Sequence, residues 1–260
     1  LKTLIVNADD FGYTRDVNQG ILEAHRRGIL TSATLMATGA AFDDAVRLAK
    51  ATPTLDIGCH LVLVGEAGFP PTVPQLVQAV LLGRIRIYEE LRRQVQRILD
   101  AGLRPTHLDT HKHTHLLPPV LEAVARLSEE FRIRWVRRPF DFRAQPGGVG
   151  WKNRLMRLRA RGFARTLAKH GCRSTDWFCG FRMTGAYDAR LLAAVIRALP
   201  EGSTEFMCHP GILGPELAQA RTRLKQSRQE ELAALTSPEV RAAVEQSGVR
   251  LAGFGDLSRD

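Results

Sequence analysis

The sequence predicts an α/β fold, a (β/α) barrel with parallel strands, and three observations carry that prediction. Apolar runs of strand length alternate with helix-length stretches along the 260 residues, the spacing that parallel strands joined by crossover helices require. Asp or His residues stand at the ends of several different runs, and in a (β/α) barrel those ends converge on the face where an active site is built. The first run ends in Asp9-Asp10 where the rival nucleotide-binding open sheet has a GxGxxG turn.

Lys2 to Ala8 reads as a buried strand, and Asp9-Asp10-Phe11-Gly12 turns the chain into a helix from Asp16 to Arg27 that stops at Gly28. Ser32 to Ala37 is the second strand and Phe42 to Ala51 its helix. Leu55 to Cys59 is the third strand, ending at His60, and a Gly- and Pro-bearing loop runs from Gly65 to Pro74. A helix over Tyr88 to Ala101 leads into a strand at Thr106 to Asp109. Pro118-Pro119 opens another helix, and Ile133 to Val136 is the next strand. Pro139 to Gly150 reads as loop and Trp151 to Lys169 as helix. Helix Asp188 to Leu199, strand Thr204 to Cys208 and one long helix from Pro215 to Ala234 follow. Ser237-Pro238-Glu239 is a Ser cap with Pro at the first helical position, and Val249 to Ala252 is a last strand.

Hydrophobic residues at 44% and charged residues at 25% are ordinary for a globular chain, and residues 1–260 read as a single domain. No apolar run reaches the roughly 18 residues of a membrane span, and the first ten residues resemble a strand rather than a secretory signal. A cytoplasmic location is therefore expected. Cys59, Cys172, Cys179 and Cys208 lack CxxC spacing and read as reduced core residues. Net charge is +10, yet Arg132 to Lys169 holds twelve Lys or Arg and one acid, Asp141, so the excess belongs to one basic loop-helix region around 137–169. On a helical wheel Arg154, Arg157, Arg161 and Arg165 share a sector with Trp151 and Leu158. A solvated charged face is the simpler account, and peripheral contact with an anionic membrane is the functional one. No nucleic-acid fold signature is present, so nucleic acid is not an expected partner.

The chemistry concentrates in His107-Leu108-Asp109-Thr110-His111-Lys112-His113-Thr114-His115. In an extended segment alternate side chains share a face, so His107, Asp109, His111, His113 and His115 would point the same way. Burying that many imidazoles without partners is costly. Asp9-Asp10 adds two adjacent acids that repel unless a counter-charge or metal joins them, and His60 ends another strand. One carboxylate and two imidazoles make a three-ligand metal site with an open position for water. Spacing alone leaves open which histidines bind.

Four motifs, NADDFG at Asn7 to Gly12, GCHLVL at Gly58 to Leu63, HLDTHKHTH, and CHPG at Cys208 to Gly211, resemble the YdjC-like carbohydrate deacetylases, which include chitooligosaccharide and hopanoid-biosynthesis-associated deacetylases. The resemblance runs through nearly the whole chain. It implies a distorted, TIM-like (β/α) barrel, an Asp-His-His divalent metal site made here of Asp10, His60 and His111, and N-deacetylation of an acetylated amino sugar or its glycolipid. One divalent ion is implied, Zn or Mg first and Mn or Co next. The wording around His111 and after Gly58 is nearer the hopanoid branch, whose substrate is an N-acetylglucosaminyl lipid, and a membrane-bound substrate would place the protein at the inner membrane face.

By analogy with polysaccharide deacetylases, Asp9 is the expected general base. His209, on the loop after strand Thr204 to Cys208, is the expected general acid, with His115 as the alternative. Asp109 and His113 are expected to orient ligands or touch substrate, Tyr13 and Arg138 to reach substrate oxygens, and His107 to be structural or functional with even weight. Phe69, Trp135, Trp151, Trp177 and Phe181 are candidates for stacking on a sugar ring or for core. A homodimer is the default assembly. GxSxG and a supported Cys-His pair are absent from the sequence, which argues against a covalent intermediate. Two readings compete: a metal-dependent phosphoester or phosphosugar hydrolase, and a non-catalytic carbohydrate-binding barrel.

Overall fold

The structure is a computed structural model, and it describes residues 1–66, 68–142 and 157–257. Eight strands form one parallel sheet in the order β5-β4-β3-β2-β1-β7-β6, with β8 paired to the first half of β1. They are β1 (Lys2–Phe11), β2 (Ser32–Leu35), β3 (Asp56–Leu61), β4 (His107–Thr110), β5 (Trp135–Val136), β6 (Trp177–Cys179), β7 (Gly202–Cys208) and β8 (Arg250–Leu251). The sheet is open and strongly curled, and isolated bridges Trp135↔Arg173 and Asp141↔Phe178 reach between its two edges. Helices surround it, which makes the fold a distorted (β/α) TIM-like barrel. All strands point the same way, so their C-terminal ends open on one face.

Central β1 is buried from Thr3 onward, as expected of a parallel strand covered on both sides. Its apolar residues and those of the flanking helices form one continuous core. Helix Arg15–Arg27 is capped by Thr14, whose hydroxyl accepts from Val17 N at 3.1 Å, and Ser237 caps helix Pro238–Gln246 in the same way. Helix Ile87–Asp100 is tied to the exit of β3 by Gln94, whose amide donates to Val62 O and accepts from Val62 N, both at 2.8 Å. That clamp fixes the backbone two residues beyond His60.

Two glycines are set by close approach. A Cβ on Gly58 would lie 2.5 Å from the His107 ring, and a Cβ on Gly20 would lie 2.4 Å from the backbone of Gly211. The first lets β4 pack a histidine against β3. The second brings the chain just after His209 down onto the first helix.

Four differences from the sequence expectation bear on the site. The loop expected from Gly65 to Pro74 ends at Thr72, which caps a helix, Val73–Leu81, that the sequence reading did not include. The helix expected from Trp151 is described from Ala160 to Lys169, preceded by a 3-10 turn at Arg157–Arg159. Trp151 and Arg154 lie outside the described residues, while Arg161 and Arg165 are exposed. Helix Pro215 to Ala234 is two helices, Pro215–Gln219 and Gln226–Leu235. Between them Ala220 is extended and Thr222 Oγ1 accepts from Leu224 N at 3.1 Å, a local bond that competes with helix continuation. Finally, the alternation expected through His115 stops at Thr110. Residues His111–Leu116 form a 3-10 turn in which Lys112 and His113 have left-handed φ of 52°, so the later histidines leave the face shared by His107 and Asp109.

Candidate metal centre

Adjacent residues in a strand point to opposite faces, yet Asp9 and Asp10 both reach the cavity. The register between β1 and β2 shifts between Ala8 and Phe11, and Asp10 sits at φ 67°. This bulge turns the second acid onto the face of the first. A left-handed aspartate costs about 1 kcal/mol or more, and the turn is held by Asn18, whose Oδ1 accepts from Gly12 N at 2.7 Å.

Three ligand-type atoms then converge. Asp10 Oδ1 lies 3.3 Å from His60 Nε2 and 3.1 Å from His111 Nδ1, and the two ring nitrogens are 3.3 Å apart. Metal bonds of about 2.0–2.1 Å in tetrahedral arrangement put ligand atoms roughly 3.3 Å apart, so the triangle fits one divalent ion. The donor set fits as well. His60 Nδ1 donates to Asp109 Oδ1 at 2.7 Å, which leaves Nε2 unprotonated in the neutral ring and facing the other two ligands. Asp109 is fixed in turn by Thr34 Oγ1 at 3.0 Å and Arg137 at 2.8 Å.

The electrostatics call for a cation at this point. Buried Asp9, Asp10, Asp109, Glu205 and Glu231 face two buried arginines, Arg137 and Arg228. Burial would pull the His60 imidazole down, but Asp109, Asp10 and Asp9 outweigh it and push it up to about 10. Burial likewise opposes ionisation of Asp10, yet Arg228 and His111 hold its carboxyl well below the usual range. The same contest at Asp9 is won by Arg137, which donates to both carboxylate oxygens at 2.7 and 2.8 Å, and the carboxyl is held low.

Asp9, Asp10, His111, Tyr13, His113 and His209 all line one cavity of about 540 Å³, together with Phe181, Met207, Arg228 and a rim of Lys112, Arg221 and Arg223. His209 Nε2 lies 3.8 Å from Asp9 Oδ2. Burial pulls the His209 imidazole down against the opposing pull of Glu231 and Asp9. His113 stacks on Phe181, ring centroids 5.1 Å apart, and its Nδ1 is buried without a hydrogen-bond partner among the described residues. Burial pushes the Tyr13 hydroxyl up to about 12.

Three expected residues are elsewhere. His115 is fully buried, pairing through Nδ1 with Thr110 Oγ1 at 2.6 Å and donating from Nε2 to Arg137 O at 3.1 Å. Burial and Arg137 pull it down to about 3. Both nitrogens are committed and the ring lies outside the cavity lining, because the 3-10 turn carries it behind the strand ends. Arg138 is turned to Asp176 O rather than to the cavity. His107 is an internal residue: it pairs with Asn7 Oδ1 at 2.9 Å and Thr106 Oγ1 at 2.8 Å and stacks on Phe254. Among the aromatic candidates Phe181 alone lines this cavity; Trp135 is buried, Phe69 packs against the core and Trp177 is 38% exposed at β6. Trp151 lies outside the described residues.

Four functional-site residues escaped the sequence reading. Arg137 stands one residue past β5 and bonds Asp9, Asp109 and Glu205, and its place at a strand end was the available signal. Glu205 lies within β7. Arg228 and Glu231 lie on helix Gln226–Leu235, where Arg228 pairs with Asp10 and Glu231 with the backbone of His209. In sequence that i,i+3 pair reads as an ordinary surface ion pair.

The YdjC-like protein family model matches residues 3–246. A carbohydrate deacetylase of Brevibacillus brevis is 36% identical over 267 residues, covering 98% of this chain and 99% of its own. A chitooligosaccharide deacetylase of Salmonella typhimurium is 34% identical over 271 residues, with 98% and 99% covered. Among solved structures, a protein of Enterococcus faecalis V583 provisionally assigned to cellobiose-phosphate cleavage superposes with a TM-score of 0.76 at 28% identity, covering 98% of each chain. The family model and these relatives cover nearly the whole chain, and the barrel agrees with them: the chain belongs to the YdjC family.

Proposed function

We propose that this chain is a divalent-metal-dependent hydrolase that removes the N-acetyl group from an acetylated amino sugar. The observation that carries this reading is the triangle of Asp10, His60 and His111, open to a cavity that Asp9 and His209 also line. Relatives named as carbohydrate and chitooligosaccharide deacetylases support the amide as the bond attacked.

Asp10, His60 and His111 would hold the ion, which when bound lowers the pKa of water and polarises a carbonyl. Mixed nitrogen and oxygen ligands suit Zn, Mn or Co, and Mg less well on intrinsic affinity. Asp9, kept ionised by Arg137, accepts the water proton as the water oxygen bonds to the acetyl carbon. The C–N bond breaks as His209, in its protonated form, gives a proton to the departing nitrogen. Acetate and the free amine leave. Asp9 Oδ2 and His209 Nε2 stand 3.8 Å apart, so the proton on Asp9 returns to His209 through solvent or after the ring moves into hydrogen-bond reach once products depart. His115, with both nitrogens committed, is a poor candidate for the acid.

The form of the sugar is a finer question. Lys112, Arg221 and Arg223 line the cavity and make no salt bridge among the described residues, which favours a substrate bearing an anionic group beside the acetamido sugar. The E. faecalis neighbour, assigned to a sugar phosphate, points the same way. The lipid-linked sugar of the hopanoid branch is the rival, and exposed Arg161 and Arg165 are what would meet an anionic membrane. Acetate release from chitobiose, phosphorylated chitobiose and an N-acetylglucosaminyl hopanoid decides among them. Phosphate release without acetate would replace the deacetylase reading with the phosphoester one.

A further inference from the structure

Glu231 is a carboxylate buried among neutral hydrogen-bond donors. It lies on helix Gln226–Leu235 and is 1% exposed. Its Oε1 accepts from Gly185 N at 2.7 Å, and its Oε2 accepts from His209 N at 2.6 Å and from the Tyr187 hydroxyl at 3.2 Å. All three donors are neutral. Among the described residues its one ion-pair contact is the His209 ring, Nδ1 at 4.0 Å from Oε2. That Nδ1 is buried and has no hydrogen-bond partner among the described residues. A buried nitrogen and a buried charge thus face each other 4.0 Å apart, beyond hydrogen-bond distance until the ring turns toward Oε2. The other nitrogen, Nε2, is on the Asp9 side.

We propose that Glu231 is the positioning residue for His209. It accepts a hydrogen bond from Nδ1–H, fixes the ring with Nε2 toward the cavity, and stabilises the imidazolium that protonates the leaving amine. The inference rests on the function proposed above and deepens it. A buried carboxylate that orients an imidazole selects the tautomer and favours the charged ring. Against desolvation, which disfavours that charged form, Glu231 is the strongest opposing influence, ahead of Asp9 and Asp10 on the cavity side, with Arg228 acting the other way. The backbone bond from His209 N to the same oxygen fixes the distance between the two residues. Arg228, on the same helix, pairs with Asp10, so one helix sets both the metal ligand and the acid.

The test is Glu231→Gln assayed on two substrates, an N-acetylated chitooligosaccharide and 4-nitrophenyl acetate. The amine needs a proton to leave and 4-nitrophenolate does not. Expected is a fall in kcat of roughly 10²-fold for the amide, with KM for the amide and kcat for the ester changed by less than about threefold. The ratio of the two rates on one sample is independent of how much of the variant is folded. Equal losses on both substrates, or none on the amide, would overturn the proposal. As a second measurement, Glu231→Gln added to His209→Gln should cost nothing further on the amide, since a residue acting through His209 has nothing left to act on. Additive losses there overturn it as well. Wild-type protein that releases no acetate from the amide fails the function reading itself, a different result from either.

Discussion

His60 Nδ1 donates to Asp109 Oδ1 at 2.7 Å, and this bond turns the opposite nitrogen of the ring toward Asp10 and His111. Asp109 is fully buried and carries no direct line to the cavity, so its effect on chemistry passes through His60. Removing the charge while keeping the shape, Asp109→Asn, should weaken metal affinity about 10- to 100-fold. Chelator competition measures it, and an unchanged affinity would mean the triangle is oriented by something else.

Arg137 bonds three buried carboxylates, Asp9, Asp109 and Glu205. Deleting one partner of a buried ionic cluster strands the others, at a cost of about 3–5 kcal/mol. Arg137→Met should therefore lower Tm sharply. Arg137→Lys keeps the charge but lacks the fork that reaches several carboxylates, and should fold with reduced activity. A methionine variant as stable as the wild type would contradict this account of the core.

The two histidines weighed for the acid separate cleanly. His115→Gln loses bonds to Thr110 and to the Arg137 carbonyl, and should cost about 1–3 kcal/mol of stability with turnover changed by only a few fold. His209→Gln should keep most stability and lose roughly 10²-fold or more in kcat. Acetate-release kinetics beside thermal melts read both, and the reverse pattern would exchange their roles.

How these residues came to be seen differs. Parallel architecture was legible because strand and helix periods alternate. The choice of Asp10, His60 and His111 came from the family resemblance, since strand-end spacing alone left open which histidines bind. The face assigned to His115 was wrong because a period of two holds only while the chain is extended, and left-handed Lys112 and His113 end it. The long helix from Pro215 is interrupted where Thr222 Oγ1 accepts from the backbone N of Leu224, a bond that competes with helix and leaves no mark in composition. Arg137 and Arg228 meet partners 128 and 218 residues away. No local pattern encodes such contacts; only the curl of the sheet and the docking of helix Gln226–Leu235 bring them together.

Glu205 gives a prediction in pH. Burial pushes its carboxyl up to about 7 despite Arg137, whose Nε donates to it at 2.7 Å. With a folded pKa above the ordinary value near 4.5, the folded state holds the proton longer than the unfolded state. This contribution is full below pH 4.5 and is lost as pH rises through 7. Glu205→Gln, always neutral, escapes the loss, so its Tm relative to wild type should rise between pH 5 and 8. A difference constant across that range would contradict the assignment.

The central claim is that one divalent ion on Asp10, His60 and His111 enables cleavage of an acetamide. Acetate release from an N-acetylated chitooligosaccharide by metal-stripped protein, before and after adding Zn, Mn, Co or Mg, tests it most directly. The account predicts no release when stripped, recovery with at least one ion, and no recovery for His60→Ala. Undiminished release by the stripped protein, or by the His60→Ala variant, would contradict it.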